Sequence, residues 1–177
     1  KIVDWLDSFD FDGTVLWGTA PAIRTTLEAN GIDSAAGKGR DVWLGIGVAS
    51  RSEYVVVHDA DAMTYDAAHV PKLLFPLANG YDFSKGYYAR VESQQLYGRL
   101  FRLFYTPLVQ VLESEYHHPF VSYLDGFRYA LAGEFAVTSE AAQSLRSPSG
   151  WGLEVGTLGE AFAATGVDGS AQVDLGA

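Results

Sequence analysis

An α/β fold with a mostly parallel central sheet flanked by helices is predicted by two features of the sequence. Short apolar runs alternate along the chain with stretches of helical period, the pattern of strands covered by helices. One of those runs, Tyr54-Val55-Val56-Val57, is continuous and almost wholly β-branched, as expected of a strand buried on both faces. Composition agrees, with 48% hydrophobic and 19% charged residues in 177. That is enough apolar material for one compact domain.

Thr14-Val15-Leu16-Trp17 reads as the first strand. A helix follows from Pro21, well placed in a first helical turn, to Asn30, where Gly31 supplies a left-handed cap. A polar loop containing Gly37-Lys38-Gly39-Arg40 leads to a helix over Val42-Trp43-Leu44 and Ile46, ending near Ser50. The Tyr54–Val57 strand then delivers His58-Asp59-Ala60-Asp61 at its carboxyl end, where open α/β sheets bind ligands. Further elements are a helix from Ala67 to Leu77, a strand from Asp82 to Val91 and a long amphipathic helix from Leu100 to Glu113. The last of these packs either inside the core or at the seam of a homodimer. A strand over Glu134–Thr138, a short helix opened by Ser139, a helix over Gly152–Phe162 and a strand over Gln172–Leu175 complete the chain.

Several function classes are excluded by composition. The net charge is −10 and no cluster of Lys or Arg is present, so a nucleic-acid groove is not expected. Small phosphorylated ligands remain open, because a few placed cations and one metal can reverse a local field. With no cysteine, disulfides and thiolate chemistry are ruled out. No apolar run approaches membrane-spanning length and no signal-peptide pattern opens the chain, so a cytoplasmic protein without a membrane partner is the expectation.

Two acidic motifs compete. Phe9-Asp10-Phe11-Asp12-Gly13-Thr14 resembles the opening motif of haloacid-dehalogenase-type phosphatases, in which the two aspartates act as nucleophile and general acid. The preceding Val3–Ser8 stretch is interrupted by acids, however, and no matching later lysine and acidic pair follows in order. A solvated acidic turn before a strand is the favoured account of the motif, with the phosphatase the runner-up. Asp59-Ala60-Asp61 sits instead at the end of a hydrophobic strand. Carboxylates one residue apart there can reach a hard divalent cation, and such a cation neutralises a diphosphate as it departs.

The surrounding motifs widen this second reading. Gly37-Lys38-Gly39-Arg40 brackets a cation with glycines, and Lys85-Gly86-Tyr87-Tyr88 sets another beside aromatic platforms. With Tyr97-Gly98-Arg99, Ala132-Gly133-Glu134-Phe135 and Trp151-Gly152-Leu153-Glu154-Val155-Gly156, they occur in one order from about Gly37 to Leu175. The set resembles the retaining glycosyltransferases of the glucosyl-3-phosphoglycerate synthase and mannosylglycerate synthase type.

That resemblance implies the nucleotide-diphospho-sugar transferase (GT-A) fold and transfer of a hexose, with retention, from a donor such as UDP-glucose or GDP-mannose. The implied acceptor is a small hydroxy acid such as 3-phosphoglycerate or glycerate. It implies that Asp61, helped by Asp59, holds Mg²⁺ or Mn²⁺, and that Lys38, Asp59, Lys85, Gly133 and Glu134 bind the nucleotide sugar. Gly98 and Arg99 are expected to hold the acceptor anion, through the bidentate fork of the guanidinium. Glu154 is expected on acceptor or sugar hydroxyls, and a backbone carbonyl near Leu131 close to the reacting centre. Leu131, Arg99 and Glu154 form the implied catalytic set.

Two departures stand out. Leu100-Phe101 follows Gly98-Arg99 where phosphoglycerate-binding members tend to place a hydroxyl residue. Against the family pattern, residues 1–177 also read as one domain incomplete at both ends, lacking an initial base-binding strand and a late metal-binding histidine. The alternatives are the phosphatase, dependent on Asp10 and Asp12, or a non-catalytic nucleotide-binding remnant.

Overall fold

The computed structural model describes residues 13–62, 64–148, 150 and 152–176. The Asp10/Asp12 motif and Trp151 lie outside the described residues. In chain order the elements are α1 (Pro21–Ala29), α2 (Lys38–Ala49), β1 (Tyr54–Val57), α3 (His69–Ala78), β2 (Phe83–Tyr88), β3 (Val91–Glu92) and β4 (Gln95–Leu96). A π-helical turn over Phe101–Tyr105 then runs into α4 (Thr106–Tyr116), followed by α5 (Pro119–Asp125), β5 (Phe135–Thr138), α6 (Ser139–Ser144), α7 (Leu153–Thr165) and β6 (Ser170–Gly176).

The main sheet has the order β1-β5-β2-β6. Strands β2 and β6 pair in parallel, whereas β5 pairs antiparallel with both β1 and β2. The expected mostly parallel sheet is therefore corrected. Strands β1, β2 and β6 share one direction, but β5 enters between them reversed, so two of the three pairings are antiparallel.

Alternation along the strands builds two cores. Val55, Phe83, Phe135 and Val137 face a large cluster with Ile46, Tyr123, Leu124, Leu158 and Ala161 from the helices on that side. Val56, Ala136, Val173 and Leu175 face the other way, against Leu73 and Leu77 of α3. Leu73 and Leu77, four residues apart, share one helix stripe. The sheet is thus covered on both faces, as its apolar runs required.

Local chemistry explains where the structure departs from the expected elements. Thr14–Trp17 forms no strand; Trp17 is 62% exposed and its carbonyl accepts from the Ala20 amide in a turn leading to Pro21. A short apolar run becomes a strand only where an edge is available to pair with it. Helix α2 begins at Lys38 rather than near Val42, so Gly37 is its cap and the glycine-bracketed segment is its first turn rather than a loop. The buried Arg40 guanidinium fixes that start, donating to the Ser34 carbonyl (2.7 Å) and to Asp41 Oδ1.

A hairpin and a short helix have no expected counterpart. Strands β3 and β4 form a hairpin whose two turn residues, Ser93 and Gln94, both have positive φ (49° and 62°). This is the backbone of a tight two-residue turn without its usual Asn-Gly signal. Helix α5 is started by Pro119 and by His118, whose Nδ1 accepts from the Phe120 amide at 3.2 Å. Helix α6 is capped by Thr138 Oγ1, one residue before Ser139. The expected amphipathic helix is broken into the π-helical turn and α4; it buries Tyr105 and Val109 while Leu103 and Val111 stay exposed. Among the described residues no helix is long and apolar enough to cross a membrane.

Phe83 is fully buried and packs its ring 5.7 Å from that of Phe135 at the sheet centre. Phe83→Ala should lower stability by about 3–5 kcal/mol, read from the midpoint of urea unfolding.

Candidate functional site

Three chain segments converge where β1 ends and β5 begins, beside the middle of β2. Val57 pairs with Phe135, and Lys85 pairs with Phe135 from the other side. The reversal of β5 therefore carries Ala132-Gly133 to the end of β1 and alongside the middle of β2. Helix α2 contributes Lys38 from its first turn, and α7 contributes Glu154 from its own. A small cavity results, lined by Lys38, Val57, Asp59, Lys85, Gly133 and Glu154 among others.

Lys38 is the bridge across this cavity. Its Nζ lies 2.8 Å from Asp59 Oδ1 and 3.2 Å from Glu154 Oε1. Burial pulls the Lys38 pKa down, but its contacts with Asp59 and Glu154 outweigh this and hold it above the ordinary lysine value. Asp59 in turn rests on Gly133, where any Cβ would overlap its carboxylate. Glycine is required there by close approach, not by an unusual φ. Beneath the turn, Lys85 is 2% exposed and donates its ammonium proton to the Ala132 carbonyl. Burial drives its pKa down to about 8, against the opposing fields of Glu134, Glu154 and Asp59.

Of the sequence-predicted residues, the structure brings together Lys38, Asp59, Lys85, Gly133 and Glu154. Asp61 stands exposed on the turn after Asp59, and Arg90 lies within its electrostatic reach. Glu134 is placed on the opposite side of β5 from the cavity-lining Phe135; it is 3% exposed, and Tyr88 lies beside it with a hydroxyl held above its ordinary pKa by burial and by Glu134. Gly98, at φ 83°, ends the hairpin against the Tyr129 hydroxyl, with Arg99 exposed beside it. Leu131 is partly buried against the main core.

Sequence reasoning missed Val42, Leu153 and Thr157 as cavity walls and His58 as part of the site. The His58 ring meets Tyr65 edge-on at 5.2 Å and stacks on His69 at 6.4 Å, while His69 Nε2 contacts the Leu175 carbonyl at 3.0 Å. Adjacency to Asp59 was the one available signal. The other walls are ordinary apolar or hydroxyl residues that no motif marks.

Among the described residues no three metal-ligating side chains gather. Asp59 and Asp61 still supply hard oxygen donors, and Asp61 is engaged in no ion pair among those residues. Magnesium-type sites typically use one or two carboxylates and complete the shell with substrate phosphates. The donor set fits Mg²⁺ or Mn²⁺ held together with a diphosphate.

Gly133→Ala should displace the Asp59 carboxylate and break its 2.8 Å pair with Lys38, seen as a changed Lys38 resonance in NMR with the fold retained. The Lys85 titration gives a pH signature. Its folded pKa of about 8 lies below the ordinary 10.5, so the unfolded chain holds the extra proton between those values. The cost of burying Lys85 is therefore complete below about pH 8 and fades as pH rises toward 10.5. Relative to Lys85→Met, the wild type should gain roughly 3 kcal/mol between pH 7 and 10.5 in urea titrations.

No protein-family model matches the chain. It is 40% identical over 186 aligned positions to the glucosyl-3-phosphoglycerate synthase of Methanococcoides burtonii, a match covering 99% of this chain and 46% of that protein. A crystal structure of glucosyl-3-phosphoglycerate synthase from Mycobacterium tuberculosis with Mn²⁺, UDP-glucose and glycerol 3-phosphate superposes with a TM-score of 0.66 at 30% identity, over 83% of this chain and 48% of that one. The mannosyl-3-phosphoglycerate synthase of Rubrobacter xylanophilus superposes with a TM-score of 0.67 at 30% identity, over 86% of this chain and 46% of that one. The chain spans about half the length of the curated relatives it matches. By sequence along nearly its whole length and by fold, the chain is similar to about half of a glucosyl-3-phosphoglycerate synthase, and its fold is that of the GT-A type.

Proposed function

We propose that this chain carries the donor-binding and reacting part of a metal-dependent glycosyltransferase that moves a hexose, with retention, from a nucleotide-diphosphate sugar to 3-phosphoglycerate or a related small hydroxy acid. The observation that carries the reading is Lys38 held between Asp59 and Glu154 against Gly133, in a chain 40% identical to a glucosyl-3-phosphoglycerate synthase. UDP-glucose is the favoured donor, since the Mycobacterium tuberculosis relative was crystallised with it and Mn²⁺.

A diphosphate entering the cavity gives Lys38 a third anionic partner. Its half-exposed side chain can turn from the two carboxylates to the phosphates and offset charge as the leaving group departs. Asp59 and Glu154, released from Lys38, then present free carboxylate oxygens to the hydroxyls of ribose or sugar. Divalent metal bound by Asp61 and Asp59 supplies Lewis-acid neutralisation of the diphosphate. Arg99, exposed beside the Gly98 turn, offers its fork to the carboxylate or phosphate of the acceptor. With the cavity carboxylates assigned to metal and hydroxyl binding and none to nucleophilic attack, a front-face displacement aided by the leaving phosphate is the reading of retention adopted.

Calorimetry with UDP-glucose, with Mn²⁺ and then with EDTA, tests this reading. Binding should require the metal, and Asp61→Ala should lower kcat/KM for transfer to 3-phosphoglycerate by about 100-fold or more. Metal-independent binding, or transfer undisturbed by Asp61→Ala, would count decisively against it.

A further inference from the structure

We propose that Lys85 is a positioning residue, holding the Leu131–Gly133 turn in the place that lets the Asp59 carboxylate settle on Gly133. The inference deepens the proposed function and relies on it only for the ligand-binding readout.

A lysine 2% exposed inside a central strand is costly, and a methionine would fill the space without that cost. Its single direct hydrogen bond among the described residues goes to the Ala132 carbonyl. Asp59, Glu134 and Glu154 surround it electrostatically, yet none lies within salt-bridge distance of its Nζ among those residues. The ammonium is therefore not one half of an ion pair. It is directed at a backbone oxygen.

That oxygen belongs to the residue immediately before Gly133. Asp59 touches the face of Gly133 so closely that no side chain fits between them. A shift of the Ala132 carbonyl rotates the peptide joining it to Gly133, and the surface under Asp59 moves with it. The rest of the turn is held by backbone bonds on either side of this peptide: the Ala132 amide donates to the Tyr129 carbonyl at 3.2 Å and the Gly86 amide of β2 donates to the Glu134 carbonyl at 2.9 Å, while the Ala132 carbonyl itself is met by Lys85. Lys85, anchored in β2 by its register with Phe135, links the turn to the rigid sheet. It also keeps a positive charge beneath Asp59 and Glu154 when Lys38 turns to a ligand. Such outer contacts fix ligand-bearing groups without touching the ligand.

The test compares wild type, Lys85→Met and Lys85→Arg by hydrogen exchange and by calorimetry with Mn²⁺ and UDP-glucose. In Lys85→Met, exchange of the Ala132–Glu134 amides should rise about tenfold while β1 and α3 keep their protection. Affinity should fall roughly 10-fold to 100-fold, with Lys85→Arg intermediate in both. A purely structural lysine would instead loosen the sheet as a whole and leave the turn no more affected than the strands; that result overturns the proposal. Unchanged exchange at the turn, or a loosened turn with unchanged affinity, also overturns it. Should Lys85→Met fail to fold, Lys85→Arg decides by the same comparison of turn with strands. A wild type that binds no UDP-glucose sinks the functional reading, while the exchange pattern still judges the role of Lys85.

Discussion

Strand β5 runs against its neighbours, and the site depends on that reversal. A parallel strand would present its carboxyl end beside Val57 and Lys85, and its incoming loop would lie at the far edge of the sheet. Reversed, β5 brings its amino end there, so the turn before Phe135 lies next to the residues that follow β1. Gly133 meets Asp59 and Ala132 meets Lys85 because of this one topological choice. Helices α2 and α7 then need only direct their first turns at the same point to add Lys38 and Glu154.

Electrostatically the site is a balance of two lysines against several carboxylates. Lys38 is half exposed and raised in pKa, whereas Lys85 is buried and lowered to about 8. The difference follows from solvent: water and two direct carboxylate contacts support the charge on Lys38, while burial outweighs the more distant carboxylates around Lys85. One cation is consequently available to exchange partners and the other is fixed. For the proposed diphosphate site this arrangement gives a mobile counter-charge at the mouth and a fixed lysine below.

Much of the fold was legible. The β-branched Tyr54–Val57 run was legible as a strand, although at the edge of the described sheet Val55 alone of the four is buried, and Pro21 and Gly31 bracket α1 as helix-end chemistry requires. Lys38, Asp59, Lys85, Gly133 and Glu154 could be named as candidate site residues because their motifs, in this order, resemble those of glucosyl-3-phosphoglycerate synthase-type transferases, and the structure brings the five to one cavity. Other features were illegible for definite reasons. Ser93-Gln94 adopts a left-handed hairpin turn without the residues that usually announce one, and Thr14–Trp17 has strand composition but no strand to pair with. The π-helical turn at Phe101–Tyr105 follows a helical apolar pattern that does not distinguish it from α-helix.

The sequence by itself determined the class of structure, the places where most helices and strands lie, and the acids, cations and glycines available for chemistry. These follow from local propensity, periodicity and side-chain type, which a chain carries wherever it folds. Only the tertiary structure decided that β5 runs backwards, that Lys38 opens a helix and spans Asp59 and Glu154, and that Lys85 reaches a backbone carbonyl rather than solvent. Strand direction and the partner of a buried charge are set by contacts between segments far apart in sequence. No local pattern encodes them, because the same alternating strand satisfies either direction and the same lysine suits a surface or a buried acceptor.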